Sequence, residues 1–237
     1  MPGLSAASGS RSGWRRCLGT ADERFPPIAR PMQPASAEMR EAFTEFRDDP
    51  ELWVAVLAGA GDRAFCAGND LKYHAEHGAA GQSYPGAETT PFAGITSDFT
   101  CWKPIIAAVN GYAMGGGLEL VLACDLAVAA ENAIFGAPEV KVGLVAAAGG
   151  VHRLPRQLPL KFAMGMLLTG STITAAEALR WGLVNQVVPP AELAAAAELV
   201  MFKFSEVPVA LIRGYEYPRG KDGIGRLIRD RSYDLFR

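Results

Sequence analysis

The sequence predicts a soluble domain of the α/β class, on the strength of three observations. Short apolar runs that are typical of strands buried on both faces alternate along the chain with segments of helical period. The chain has 237 residues, 49% of them hydrophobic, so a domain-sized core can form without disulfides. Strands that alternate with helices imply crossover connections, which are the mark of an α/β fold.

The elements follow one another in a simple order. A first helix is predicted from apolar residues at helical spacing (Met39, Ala42, Phe43 and Phe46), and it ends at Asp48–Pro50. Strands are predicted at 52–57, 105–109, 126–129 and 184–188. Further helices are predicted near 116–123, 150–156, 161–168 and 175–181, and a Gly-, Ser- and Pro-containing loop at 78–91.

Composition excludes several classes of function. The formal charge is −2, from 23 basic and 25 acidic residues, which argues against a nucleic-acid partner bound through a broad basic face. No apolar run reaches the ~18 residues that a membrane span needs. The four cysteines are widely spaced without a C-x-x-C pair, so neither a disulfide framework nor a zinc ribbon is indicated and a reducing, cytoplasmic setting is expected.

Residues 1–34 differ from the rest of the chain. They are rich in Ser, Gly and Arg, carry no acidic residue before Asp22 and lack a clear period. This composition predicts a disordered tail, with an organellar transit peptide, and hence the mitochondrial matrix, as the alternative.

The segment 59–64 follows a strand and fits a loose dinucleotide-binding pattern. A dinucleotide loop must open a helix at that point. Here the chain stays extended through Phe65 and Cys66, so a hairpin-like turn is the better interpretation.

Three successive glycines, Gly115 to Gly117, open the predicted helix at 116–123. Glycines add no apolar area and cost conformational entropy, so a run of them indicates close backbone approach. At a helix start the free N–H groups and the positive end of the dipole favour an anion or a developing oxyanion.

Two glutamates are candidate acid/base groups beside that helix start. Glu119 lies one turn into the helix, and Glu139 follows a turn-like strand end at 135–138. Each has a simpler interpretation, Glu119 as a first-turn acid that complements the dipole and Glu139 as an exposed loop residue.

Several blocks in order resemble the enoyl-CoA hydratase/isomerase, or crotonase, family. They are A-F-C-A-G-N-D-L-K at 64–72, K-P-I-I-A-A-V-N-G-Y-A-M-G-G-G-L-E-L at 103–120, F-G-A-P-E-V-K-V-G-L at 135–144, A-G-G-V-H-R-L-P at 148–155, L-T-G at 168–170 and E-A-L-R-W-G-L-V-N at 177–185. Parts of the last blocks also resemble the carnitinyl-CoA dehydratase branch. The resemblance implies a fold of repeated ββα units with a C-terminal helical region, over residues 35–200.

The same resemblance implies a set of site residues. Glu119 and Glu139 match the two catalytic glutamates of the family's hydratases, and the backbone N–H groups of Asn69 and Gly116 match its oxyanion hole. Contacts to the CoA part of the substrate would come from Ala64, Cys66, Ala67, Gly68, Asp70 and Leu71. The acyl end would be lined by Tyr112, Gly115 and Pro138.

The implied activity is reversible syn hydration of a 2-enoyl-CoA to a 3-hydroxyacyl-CoA, by a homotrimer or hexamer, with no metal or redox cofactor and CoA only as part of the substrate. A carnitinyl-CoA-type dehydratase or an enoyl-CoA isomerase is the alternative within the family. The segments 1–34 and 201–237 match the family poorly, and this suggests a rival of another class, a catalytically weak family member that acts as a binding or scaffold protein.

Overall fold

Strands and helices alternate through the chain in the computed structural model, which describes residues 15–20, 32–49, 52–68 and 90–205. The strands are β1 (Arg15–Thr20), β2 (Leu52–Ala58), β3 (Ala64–Cys66), β4 (Ile105–Val109), β5 (Tyr112–Met114), β6 (Leu126–Ala130), β7 (Ile134–Gly136), β8 (Thr172–Thr174) and β9 (Gln186–Val188). The α-helices are α1 (Met32–Asp48), α2 (Gly116–Ala123), α3 (Gly150–Gln157), α4 (Leu160–Thr169), α5 (Ala175–Trp181) and α6 (Leu193–Ser205). Short 3₁₀ helices lie at Phe92–Gly94, Pro138–Val142 and Pro190–Glu192.

The strands form two sheets, and successive pairs of strands divide between them. One sheet has the order β1-β2-β4-β6-β9 and is parallel throughout. The other has the order β3-β5-β7-β8, with β8 antiparallel to β7. The pairs β2–β3, β4–β5 and β6–β7 each give one strand to each sheet, and α2 follows the second pair. The repeated ββα organisation implied by the family resemblance is therefore confirmed.

The central strand β4 separates two hydrophobic cores, because successive side chains of a strand point to opposite faces. Ile105, Ala107 and Val109 belong to the larger core, which lies toward α2 and the second sheet. Ile106 and Ala108 belong to the smaller core, which is closed by α6. All five residues of β4 are buried, as expected for a strand covered on both faces.

Asn110 holds the turn between β2 and β3. Its Nδ2 donates to the carbonyls of Gly59 and Gly61 at 3.1 and 2.8 Å, and its Oδ1 accepts the N–H of Gly59 at 3.2 Å. The predicted turn is present, but it does not make a hairpin, because β3 pairs with β5 in the second sheet and not with β2. The absence of a helix after Gly59 also agrees with the rejection of a dinucleotide loop.

The predicted helices are confirmed to within a few residues of their ends. Sequence reasoning missed the helix α6 and the strands β5 and β8. The two strands have three residues each and show no period, and the start of β9 was placed two residues early. Strand β1 lies inside the segment 1–34 that was expected to be disordered, and it pairs in parallel with β2. Most of the loop predicted at 78–91 lies outside the described residues.

Helix length bears on the membrane question. In the part of the chain that the structure describes, every helix is too short or too polar to cross a bilayer.

Candidate active site

The glycine run stands where the second sheet ends and α2 begins. Gly115 adopts φ 56° and ψ −122°, a conformation that other residues rarely reach, and its N–H donates to the carbonyl of Gly136 at 2.8 Å. A Cβ atom at Gly116 would lie 2.3 Å from the Phe92 ring, and one at Gly117 would lie 1.9 Å from the carbonyl oxygen of Cys66. The close backbone approach predicted from the run is therefore real, and it brings α2 against Phe92 and β3.

The segment that leads to Asn69 lies beside the N–H of Gly116. Gly68 has φ 88°, and a Cβ atom there would be 3.1 Å from the Gly116 nitrogen. Asn69, Asp70 and Leu71 themselves lie outside the described residues. The oxyanion role of Asn69 and Gly116 therefore stays a prediction. The structure shows that Gly68, the residue before Asn69, lies next to Gly116.

Glu119 is a buried carboxyl held by the start of α3. Its side chain is 4% exposed, and Oε1 accepts the N–H of Gly150 at 2.9 Å. The pKa of Glu119 is raised to about 7, chiefly by burial and to a lesser extent by the charge of Glu139, while the N–H groups of Gly150 and Ala148 and the charge of Arg153 act in the opposite direction. A neutral Glu119 is therefore present in quantity near pH 7.

Glu139 lies in the first turn of the 3₁₀ helix Pro138–Val142, on the other side of the glycine run. Its Oε1 is 3.3 Å from the position a Cβ of Gly115 would take. Its Oε2 is buried and has no hydrogen-bond partner among the described residues. Burial raises the pKa of Glu139 as well, against a hydrogen bond from its own backbone N–H. An orphaned buried oxygen is costly unless a ligand or water meets it.

The two carboxyls face the same small region at the start of α2. Each is desolvated, and the charge of Glu139 is felt at Glu119, so the second ionisation of the pair is disfavoured. Such a pair can hold one proton and exchange it with a substrate between them. The simpler interpretations, an ordinary first-turn acid and an exposed loop residue, do not describe these side chains.

The other predicted contact residues are more scattered. Ala67 is exposed and Gly68 buried at the end of β3, while Cys66 is buried and burial raises the pKa of its thiol to about 11. Pro138 directly precedes Glu139. Ala64 and Tyr112 pair where β3 and β5 begin, away from Gly115, and the Tyr112 side chain is 54% exposed. Their contacts to substrate remain predictions.

Sequence reasoning missed Phe92, Gly150 and Arg153. The Phe92 ring covers Gly116, and the N–H of Gly150 donates to Glu119. The charge of Arg153 lowers the pKa of Glu119. One signal was available: Gly149 and Gly150 open α3 just as the earlier glycine run opens α2. A Cβ atom at Gly150 would lie 3.1 Å from Oε1 of Glu119, so the same requirement for close approach applies.

Metal chemistry has no obvious ligand set here. Within the described residues, no three His, Cys, Asp or Glu side chains come together as a metal site would require. The expectation that no metal or redox cofactor is used stays a prediction.

Comparison with known proteins gives a consistent result. A profile of the enoyl-CoA hydratase/isomerase family matches residues 32–214. The carnitinyl-CoA dehydratases of Salmonella typhi and Salmonella choleraesuis (strain SC-B67) are 51% identical over 179 residues, which are 74% of this chain and 67% of theirs. These organisms are bacteria, so the mitochondrial alternative gains no support from them.

Solved structures agree in fold. A carnitinyl-CoA dehydratase from Mycobacterium avium 104 has a TM-score of 0.75 at 42% identity, over 90% of this chain and 84% of that one. An enoyl-CoA hydratase from Mycobacterium tuberculosis H37Rv has a TM-score of 0.72 at 38% identity, over 83% and 75% of the two chains. With the two-sheet fold and the family match over most of its length, the chain is an enzyme of the enoyl-CoA hydratase/isomerase, or crotonase, family.

Proposed function

We propose that this enzyme catalyses the reversible syn addition of water to a 2-enoyl-CoA thioester, with Glu119 and Glu139 as its acid/base pair. The observation that carries the proposal is the pair of desolvated carboxyls at the glycine-run start of α2. Addition of water needs one carboxylate to accept a proton and one carboxylic acid to give one, and both raised pKa values favour a pair that keeps a single proton.

The oxyanion donors polarise the substrate. The N–H groups of Gly116 and Asn69 would bind the thioester oxygen and stabilise the negative charge that develops there, each such donor being worth about 10²–10³ in rate. The position of Gly68 against the Gly116 nitrogen supports this role.

Hydration then proceeds with a balanced transfer of protons. The Glu119 carboxylate removes a proton from water while the water oxygen bonds to Cβ, and the electrons of the double bond move toward the thioester to give an enolate. Glu139, as the acid, delivers its proton to Cα. The pair ends with its one proton on Glu119, which is the state from which dehydration of the 3-hydroxyacyl thioester begins.

A second candidate is favoured by one specific observation. The curated relatives that are 51% identical are named carnitinyl-CoA dehydratases. The chemistry is the same elimination of water, on an acyl group that carries a quaternary ammonium. The acyl group, and not the acid/base pair, separates the two candidates.

Both candidate functions are tested by incubating the enzyme with thioesters in isotopically labelled water and measuring the mass of the products. The panel pairs carnitinyl-CoA with 3-hydroxybutyryl-CoA, which lacks the quaternary ammonium, and adds 2-enoyl-CoA thioesters of several lengths. Glu119→Gln and Glu139→Gln should each lower turnover by about 10²-fold or more. Glu131→Gln changes an exposed glutamate and should leave the rate unchanged.

The outcomes separate the classes of function. Gain or loss of water by any thioester of the panel supports a hydro-lyase, and the preferred acyl group identifies which one. Binding of the thioesters without any turnover would contradict the proposal and favour the rival that only binds or scaffolds.

We also propose that the enzyme assembles as a homotrimer or hexamer in the cytoplasm. Two exposed apolar sets support assembly: Val142, Leu144 and Val145 after Glu139, and Leu160, Met164 and Leu168 along one face of α4. Cys66, Cys101 and Cys124 are not joined in disulfides, which fits a reducing compartment. Analytical ultracentrifugation of the wild type and of Leu168→Glu would test the assembly, which should weaken in the variant if α4 is part of the contact.

A further inference from the structure

We propose that Arg153 is a positioning residue for the reaction, which fixes the backbone at 148–150 so that its N–H groups hold the carboxylate of Glu119. The inference rests on the proposed function, because it assigns a role toward one of the two carboxyls of that site. Arg153 itself touches neither the reacting atoms nor the substrate in this assignment.

The guanidinium of Arg153 bridges two backbone segments. Its Nη2 donates to the carbonyl of Thr96 at 2.8 Å, and its Nη1 makes a longer contact of 3.4 Å with the carbonyl of Ala148. The side chain folds back over Gly149 so closely that a Cβ atom there would lie 1.9 Å from Nη1. Arg153 thus ties the entry into α3 to the segment that follows the 3₁₀ helix Phe92–Gly94.

The backbone at that entry has an unusual conformation that must be held in place. Gly149 has φ 114°, in a region of backbone conformation that residues other than glycine rarely adopt. A Cβ atom at Gly150 would come within 2.6 Å of Ala146, so the turn is also tightly packed. Both features force the N–H of Gly150 toward Glu119, where it donates at 2.9 Å to Oε1.

Residue 148 links the two ends of this arrangement. Its carbonyl accepts from Arg153, whereas its N–H is one of the groups that stabilise the charged form of Glu119. The carbonyl and the N–H belong to the same residue. Loss of the Arg153 guanidinium should therefore displace the Ala148 N–H, which stabilises the Glu119 carboxylate. An acid/base group must be held to within a fraction of an ångström for efficient proton transfer.

The backbone around Thr96, which accepts the other hydrogen bond from Arg153, is itself held in place. Arg40 of α1 donates to the carbonyls of Gly94 and Asp98 at 2.7 and 2.6 Å, on either side of Thr96. The same segment carries Phe92, whose ring lies over Gly116. Arg153 consequently connects the part of the site that holds Glu119 to the part that covers the oxyanion glycine.

Among the residues that the structure describes, three ionisable groups face Glu119 from the elements packed around it. They are Glu139 from the 3₁₀ helix Pro138–Val142, Cys66 from β3 and Arg153 from α3. The Cys66 thiol is neutral near pH 7 because burial raises its pKa to about 11. Arg153 is the cation of the three, so its removal leaves Glu119 with the opposing charge of Glu139 and should raise the pKa of Glu119 further.

The test compares Arg153→Met and Arg153→Lys with Arg156→Met. Arg156 is one turn further along α3, is exposed and donates to the carbonyl of His152, so it serves as a matched control. We expect Arg153→Met to lower kcat about tenfold or more, with a smaller effect on KM, and to move the alkaline limb of the kcat/KM profile to higher pH. Arg153→Lys keeps the positive charge, so its alkaline limb should lie at the wild-type pH. Its kcat should lie between those of Arg153→Met and the wild type. Arg156→Met should match the wild type.

A readout besides activity keeps this inference separate from the proposed function. The carboxyl carbons of ¹³C-labelled glutamates are followed by NMR against pH, with Glu119→Gln to assign the signal, and circular dichroism checks that each variant is folded. A Glu119 titration in Arg153→Met that coincides with the wild type would overturn the inference, whereas the titration in Arg153→Lys should stay close to that of the wild type. If the titration shifts as expected but no thioester gains or loses water in the wild type, then the hydratase proposal fails while the Arg153 contact stands.

Discussion

The burial of Glu119 makes a prediction about stability as well as about catalysis. In the folded protein its pKa is raised to about 7, from an ordinary value of 4.5. The folded state therefore holds a proton on Glu119 over a range of pH in which the unfolded chain has already lost it. Its contribution to the free energy of unfolding is complete below pH 4.5 and is lost as the pH rises to 7.

The magnitude follows from the distance between the two pKa values. Each pH unit in that window corresponds to about 1.4 kcal/mol, so the whole window amounts to about 3 kcal/mol. Glu119→Gln places a neutral amide of similar shape at the same position, with an oxygen that can still accept from Gly150. We expect the free energy of unfolding of the variant, relative to the wild type, to rise by about 3 kcal/mol between pH 4.5 and pH 8.

Urea unfolding of both proteins at several pH values, at one fixed protein concentration, measures this difference. Glu177→Gln is a control of opposite sign, because hydrogen bonds from Thr174 lower the pKa of Glu177, so that its contribution is lost as the pH falls. A difference between Glu119→Gln and wild type that stays constant from pH 4.5 to pH 8 would refute the argument that Glu119 is desolvated.

Three further predictions concern the rate, the oxyanion site and a helix cap. In the wild type kcat/KM should fall above a pH of about 7 as the Glu119–Glu139 pair loses its one proton, with the same limb for hydration and dehydration because the reaction takes up no net proton; steady-state kinetics in both directions would expose a mismatch. Gly116→Ala should lower turnover by about 10²–10³, since the new methyl would meet the Phe92 ring at 2.3 Å, and a second change, Phe92→Ala, should recover part of the loss; no recovery would mean that the clash is not the cause. Thr174→Ala removes the cap of α5 and should cost about 1 kcal/mol in urea unfolding with kcat unchanged, so an unaltered stability would argue against the capping box.

Five of the six α-helices that the structure describes were predictable because their signals are local, whereas α6 was not predicted. The apolar period of α1 and the Gly and Pro residues at helix ends lie within a few residues of one another. The strands β5 and β8 have three residues each, too short for an alternation to be recognised. They are strands only because partners distant in the sequence pair with them, and a window of sequence does not contain those partners.

The residues of the candidate site also differ in whether a local sequence pattern points to them. Glu119 could be singled out because a glycine run and an acid one turn later form a local pattern, and Glu139 because it stands in a recognisable block. The hydrogen bond from Gly150 to Glu119 joins residues 31 positions apart, and Arg153 reaches Thr96 across 57. Those contacts depend on how the second sheet brings β3, β5 and β7 side by side, which no local pattern specifies.

The alternation of strand pairs between the two sheets has a consequence for how the site can be altered. Each successive pair ends in a glycine-containing segment, Gly68 after β2–β3, Gly115–Gly117 after β4–β5 and Gly149–Gly150 beyond β6–β7. Under the proposed function the first pair is followed by Asn69, the second by Gly116 and Glu119, and the third by Glu139, so no single repeat contains the whole site. Recombination of family members at repeat boundaries would therefore exchange Glu119 and Glu139 independently of one another, while loss of any one of the three repeats would remove part of the site.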